Sequence, residues 1–114
     1  MIKIVLSKTV GSPFCVSNAD GVKVYDTILT HFKKNEAVDI SFSGVTRLTT
    51  AFLNAAIGQL YDNVSEEKIN CLLNYTDAAP SHLAKIHTTV ENAKKFFNDR
   101  KNENLISRKV IDEQ

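Results

Sequence analysis

The chain has 114 residues, enough for one hydrophobic core but not for two. Hydrophobic residues make up 43% and charged residues 24%, which fits a globular domain and excludes the disordered and fibrous classes. A net charge of +1 gives no general attraction to nucleic acid or to an anionic membrane, and no apolar run approaches the ~20 residues of a membrane span.

Residues 2–6 (Ile, Lys, Ile, Val, Leu) are rich in β-branched side chains and read as a first strand. Gly11-Ser12-Pro13 is turn chemistry, after which Phe14-Cys15-Val16 is expected to return as a second strand in a loose hairpin. Ser17-Asn18-Ala19-Asp20 resembles a capping box, with an acid three residues after the serine. A first helix then runs to about Lys34, with Val22, Tyr25, Ile28, Leu29 and Phe32 as its buried face. Residues 38–42 alternate Val38, Ile40 and Phe42 with Asp39 and Ser41, the period of a half-buried strand. Ser43-Gly44 breaks that strand, and residues 45–48 form a crossing loop.

Thr49 or Thr50 supplies the N-cap hydroxyl of a central helix. Leu53, Ala56, Ile57 and Leu60 form its core stripe, and Ala51, Ala55 and Gly58 a second stripe of small residues. Gly58 weakens the helix by roughly 1 kcal/mol relative to Ala, so a close-packed backbone is expected on its face. Residues 62–68 are a polar connection with room for an extra helical turn. Residues 69–75, with Ile69, Cys71, Leu72, Leu73 and Tyr75, read as a strand buried on both faces and reached by a parallel crossover. Pro80 marks another helix start, and Leu83, Ile86, Val90, Ala93 and Phe97 give that helix a narrow apolar seam. The expected product is an α/β layer, a mixed sheet of about four strands packed by three to four helices. It occupies residues 1–98, and residues 99–114 form a polar tail, either docked or ordered by a partner.

Few chemistry-bearing constellations appear. His82 and His87 are five residues apart, which turns them roughly 140° from each other on a helix. They cannot share a metal without a third element, and with no cysteine partner on a nearby face no metal is expected. Cys15 and Cys71 fall in apolar, strand-like segments, where buried free thiols are the simple reading. Four glycines cannot build a dinucleotide or P-loop pattern. No cofactor and no catalysis are therefore expected. The basic residues Lys94, Lys95, Arg100, Lys101, Arg108 and Lys109 are diluted by Glu91, Asp99 and Glu103, which reads as a solvated face rather than a nucleic-acid surface. The apolar N-terminus is too short for a signal peptide, so the cytoplasm is the expected compartment.

The run Phe42-Ser43-Gly44-Val45-Thr46-Arg47-Leu48-Thr49-Thr50-Ala51 resembles the signature of STAS domains, the fold of bacterial anti-sigma factor antagonists. In register, Thr50 falls at the serine that a partner kinase phosphorylates there, and Thr49 at the preceding aspartate. Phe52 stands where the antagonists carry glycine. The chain more closely resembles a small bacterial STAS-like family of unassigned function, through Ser17-Asn18-Ala19-Asp20-Gly21, Ser43-Gly44-Val45 and Thr50-Ala51-Phe52-Leu53. The resemblance implies a non-catalytic interaction module switched by phosphorylation at Thr50 or Thr49. Its partner would be a protein, either a histidine-kinase-like ATPase or an anti-sigma-type kinase. Gly44, Thr46, Arg47, Ala51, Asn54, Ala55 and Gly58 are the candidate partner-binding residues, and a homodimer is left open. The rival readings are a small-molecule or nucleotide sensor using the same loop, and an enzyme whose site assembles only in an oligomer.

Overall fold

The computed structural model describes the backbone of residues 1–112 and the side chains of residues 1–98. Strands β1 (Ile2–Val5), β3 (Val38–Ser41) and β5 (Leu73–Thr76) form one parallel sheet in the order β1-β3-β5. Ile4, Ile40 and Tyr75 lie side by side across it. Strands β2 (Phe14–Cys15) and β4 (Arg47–Leu48) form a second, two-stranded parallel sheet. Helix α1 (Leu6–Val10) follows β1, α2 (Asn18–Lys33) follows β2, and α3 (Thr50–Leu53) follows β4. A π-helical turn (Asn54–Gly58) and α4 (Leu60–Asn63) continue from α3. Helix α5 (Glu66–Leu72) precedes β5, and α6 (Pro80–Asp112) follows it.

The α/β layering is as expected, but the strands are arranged differently. Five strands in two small parallel sheets replace one mixed sheet of about four. The expected hairpin does not form, because the chain turns helical directly after β1. Gly11, in the left-handed region at φ 78°, ends α1 and directs its N–H back to the Ser7 carbonyl. This helical turn carries the chain away from β1, and β2 pairs with β4 instead.

The strand expected over residues 69–75 is also corrected. Ser65 accepts the Lys68 N–H at 3.2 Å, and Glu66 and Glu67 occupy the positive first turn, so helix α5 forms and persists to Leu72. Only Leu73–Thr76 is left to pair with β3. Leu72 is half-buried, and Cys71 is exposed rather than enclosed in a strand.

Ser17 caps α2 as expected, accepting the Asp20 N–H at 3.1 Å. The buried face of α2 is Gly21, Val24, Ile28 and Phe32, whereas Val22 faces outward. Val24, Ile28 and Phe32, with Leu53, Ala56, Ile57 and Leu60 of the central helix, join Ile4, Val38, Ile40 and Phe42 of the sheet in one core. In α6, Ile86, Ala93 and Phe97 are buried together with Thr89, while Leu83 is exposed. The backbone of α6 is helical to Asp112. What the tail from residue 99 onward touches lies outside the described residues. No described helix is long and apolar enough to cross a membrane.

Candidate functional site

Helix α1 after β1, the loop after β3 and the start of the central helix follow the carboxyl ends of parallel strands, the usual ligand side of such sheets. Gly44 turns the chain there at φ 79°, in the left-handed region that glycine tolerates. Ser7 ties the turn down by donating its hydroxyl to the Ser43 carbonyl at 3.1 Å. Ser41, fully buried, donates to Asp77 Oδ2 at 2.8 Å and accepts the Ser43 N–H at 3.3 Å. The chain then runs along Pro13, whose carbonyl accepts the Thr46 N–H at 2.9 Å.

The structure divides the work of the two threonines. Thr49 is the N-cap: its Oγ1 accepts the Phe52 N–H at 3.2 Å and donates to the Val16 carbonyl at 2.9 Å. Thr50 is the first helical residue and is exposed. Its hydroxyl is therefore reachable without loss of the cap. Arg47 is exposed on β4, and Lys85 of α6 anchors its ammonium on the Leu48 carbonyl at 2.7 Å. Two cations thus stand close to the start of the central helix.

Gly44, Thr46, Arg47, Ala51 and Asn54 lie on the exposed surface. Ala55 and Gly58 do not: Ala55 packs against Gly21 of α2, and Gly58 faces Thr89 and Ala93 of α6. These two small residues serve internal packing. Sequence reasoning missed Phe14, 53% exposed, and Val16, which flank the site because alternation in the short strand β2 turns Cys15 inward and its neighbours outward. Phe14, Cys15 and Val16 are all apolar, so the sequence alone does not show which of them faces outward. Lys85 was missed because only the tertiary fold brings α6 beside Leu48.

The remaining candidates stay apart. No group of three or more metal-binding side chains occurs among the described residues. His82 stacks on Phe42, with ring centroids 5.6 Å apart, and its Nδ1 accepts the Ala79 N–H. His31 pairs with Glu36 at 3.2 Å, at the far end of α2. Asp39 lies between Lys3 and Asn74 on the sheet face opposite the core, with its Oδ1 enclosed and without a hydrogen-bond partner among the described residues.

Burial, reinforced by the nearby Asp20 charge, pushes the Cys15 thiol up to about 11. A thiol held neutral and enclosed is a poor nucleophile. In the native protein a thiol-specific reagent is expected to modify Cys71 readily and Cys15 only after unfolding. Modification of both at equal rates would contradict the packing around β2.

The sequence model of the STAS-like domain of unknown function (DUF4325) matches residues 20–83, more than half of the chain. No curated protein and no solved structure matches it. The matched stretch runs from α2 through the Gly44 turn and the central helix to the start of α6, and the chain belongs to this STAS-like domain family of unknown function.

Proposed function

We propose that the protein is a non-catalytic interaction module whose surface at the start of the central helix binds a protein partner and is switched by phosphorylation of Thr50. The observation that carries this reading is the separation of cap and exposed hydroxyl: Thr49 holds the helix, and Thr50 stands free of that task on the surface. Phe14 and Val16 supply exposed apolar area beside it, and Arg47 and Lys85 supply positive charge. Such a mixed patch suits a partner that presents apolar side chains with an acidic rim. A phosphate on Thr50 adds about −1.5 to −2 charges, competes with the partner's acid for Arg47, and must be desolvated if the interface closes over it. By resemblance to the anti-sigma factor antagonists, the partner is a histidine-kinase-like ATPase or anti-sigma-type kinase, and the setting is bacterial and cytoplasmic.

A small-molecule sensor would have to use the flanks of the central helix. Of the grooves of about 460, 350, 300 and 270 Å³, two include Asn54 with Ala55 or Gly58, and none of these four includes a residue between Gly44 and Thr50.

The test compares Thr50→Glu and Thr50→Ala with wild type, with Thr49→Ala as the cap control. Thr50→Glu is expected to shift stability by no more than about 1 kcal/mol, because a helix N-terminus accepts negative charge. Its capture of the protein that co-purifies with wild type is expected to fall at least about tenfold. Thr49→Ala is expected to lose about 0.5–2 kcal/mol of stability. Undiminished capture by a folded Thr50→Glu protein would refute the switch.

A further inference from the structure

The central helix presents one outward stripe along its whole length: Thr50, Ala51, Asn54, Gln59 and Asp62 are all exposed. In uniform α-helical geometry Gln59 would lie roughly 140° around the helix from Asn54. The π turn removes that offset. The Gln59 N–H bonds to the Asn54 carbonyl at 3.1 Å, an i→i+5 bond, and both carboxamides line the same two grooves, one on each side of the helix. Val22 of α2, 44% exposed, borders one groove, and Phe96 of α6, 60% exposed, borders the other. Large apolar side chains exposed on both flanks of a polar ridge are typical of an interaction surface.

Charge along the stripe identifies the occupant. Its N-terminal end is basic, with Arg47 and Lys85. Its C-terminal end carries Asp62 and the exposed Asp26 of α2, which lines a groove with Gln59, while Lys33 and Lys68 line a different groove with Asn63. A surface with opposite charges at its two ends is complementary to its own copy laid antiparallel, which is the arrangement that two-fold symmetry imposes. Asn54 lies midway between Arg47 and Asp62 in sequence. Its carboxamide offers both a donor and an acceptor, so it can pair with its own symmetry mate. The net charge of +1 leaves little overall repulsion between copies.

We propose that this stripe is a homodimer interface, with Arg47 of one copy facing Asp62 of the other about a two-fold axis at Asn54. The interface goes beyond the partner switch and needs no other protein. It shares Arg47, Thr50, Ala51, Asn54 and Lys85 with the partner surface, so self-association and partner binding compete.

Sedimentation of the purified full chain over a range of concentrations tests it, with thermal unfolding to verify that each variant is folded. Wild type is expected to dimerise as concentration rises. Arg47→Glu and Asp62→Arg are each expected to weaken dimerisation at least about tenfold, because like charges then face each other. The double variant Arg47→Glu/Asp62→Arg restores opposite charges and is expected to dimerise within about threefold of wild type. Phe96→Ser is expected to weaken dimerisation without a charge change. A monomeric wild type, single variants that dimerise normally, or a double variant that does not recover would each overturn the proposal. None of these outcomes depends on Thr50 or on capture of another protein, so failure here leaves the switch reading to its own test.

Discussion

Leu53→Ala is expected to lower the unfolding free energy by about 2–5 kcal/mol, the range for removing a buried leucine side chain and leaving a cavity. Leu53 is fully buried, one residue before the π turn, in the core formed by α2, the central helix and the sheet. Phe52 beside it is equally enclosed, so two adjacent residues of α3 point inward. The backbone around Leu53 is fixed on both sides by the Thr49 cap and by the contact with α2, which limits collapse into the space left behind. The loss therefore belongs toward the upper part of that range. Chemical denaturation with an unchanged slope would report it as a lower midpoint. A change within ~0.5 kcal/mol, the value for a surface site, would mean that the central helix turns a different face to the sheet.

The elements that could be read from the sequence are those whose signal is local. The alternation of Val38, Ile40 and Phe42 gave β3, the Ser17 hydroxyl and the Thr49-Thr50 pair gave two helix starts, and Pro80 gave a third. The errors came where two periods overlap. Ile69, Leu72 and Leu73 satisfy helical spacing, while Leu73 and Tyr75 satisfy strand spacing, and the apolar run alone does not show where one gives way to the other. Ser65 followed by two glutamates was the local signal that favoured α5. The pairing of β2 with β4 could not be read, because two residues carry no register information until α1 and α2 are placed. At the candidate site, the Gly44 turn and the paired threonines were legible. The exposure of Phe14 and Val16, the approach of Lys85 and the π turn are products of tertiary packing.

Gly21→Ala is expected to destabilise the protein by about 1–3 kcal/mol, the usual range for overpacking, even though alanine is the better helix former by roughly 1 kcal/mol. The close helix approach expected at Gly58 is found at Gly21. A Cβ at Gly21 would lie 2.6 Å from the Phe52 carbonyl oxygen, 2.7 Å from Ala55 Cβ and 3.3 Å from the Ala56 nitrogen. Two of these are backbone atoms of the central helix, which cannot rotate away as a long side chain would. Relief requires α2 to move off the helix, which would loosen the contacts of Val24 and Ile28 farther along the same face. Gly58, on the central helix that Gly21 packs against, provides the control. A Cβ there would meet Ala93, Asn54 and Thr89 atoms at 3.7 Å, ordinary van der Waals contact. Gly58→Ala is therefore expected to be neutral or to gain up to ~1 kcal/mol. Urea unfolding of the two variants decides the matter. Equal stabilities would place the close approach elsewhere, and a destabilised Gly58→Ala beside a normal Gly21→Ala would return it to the face of α6.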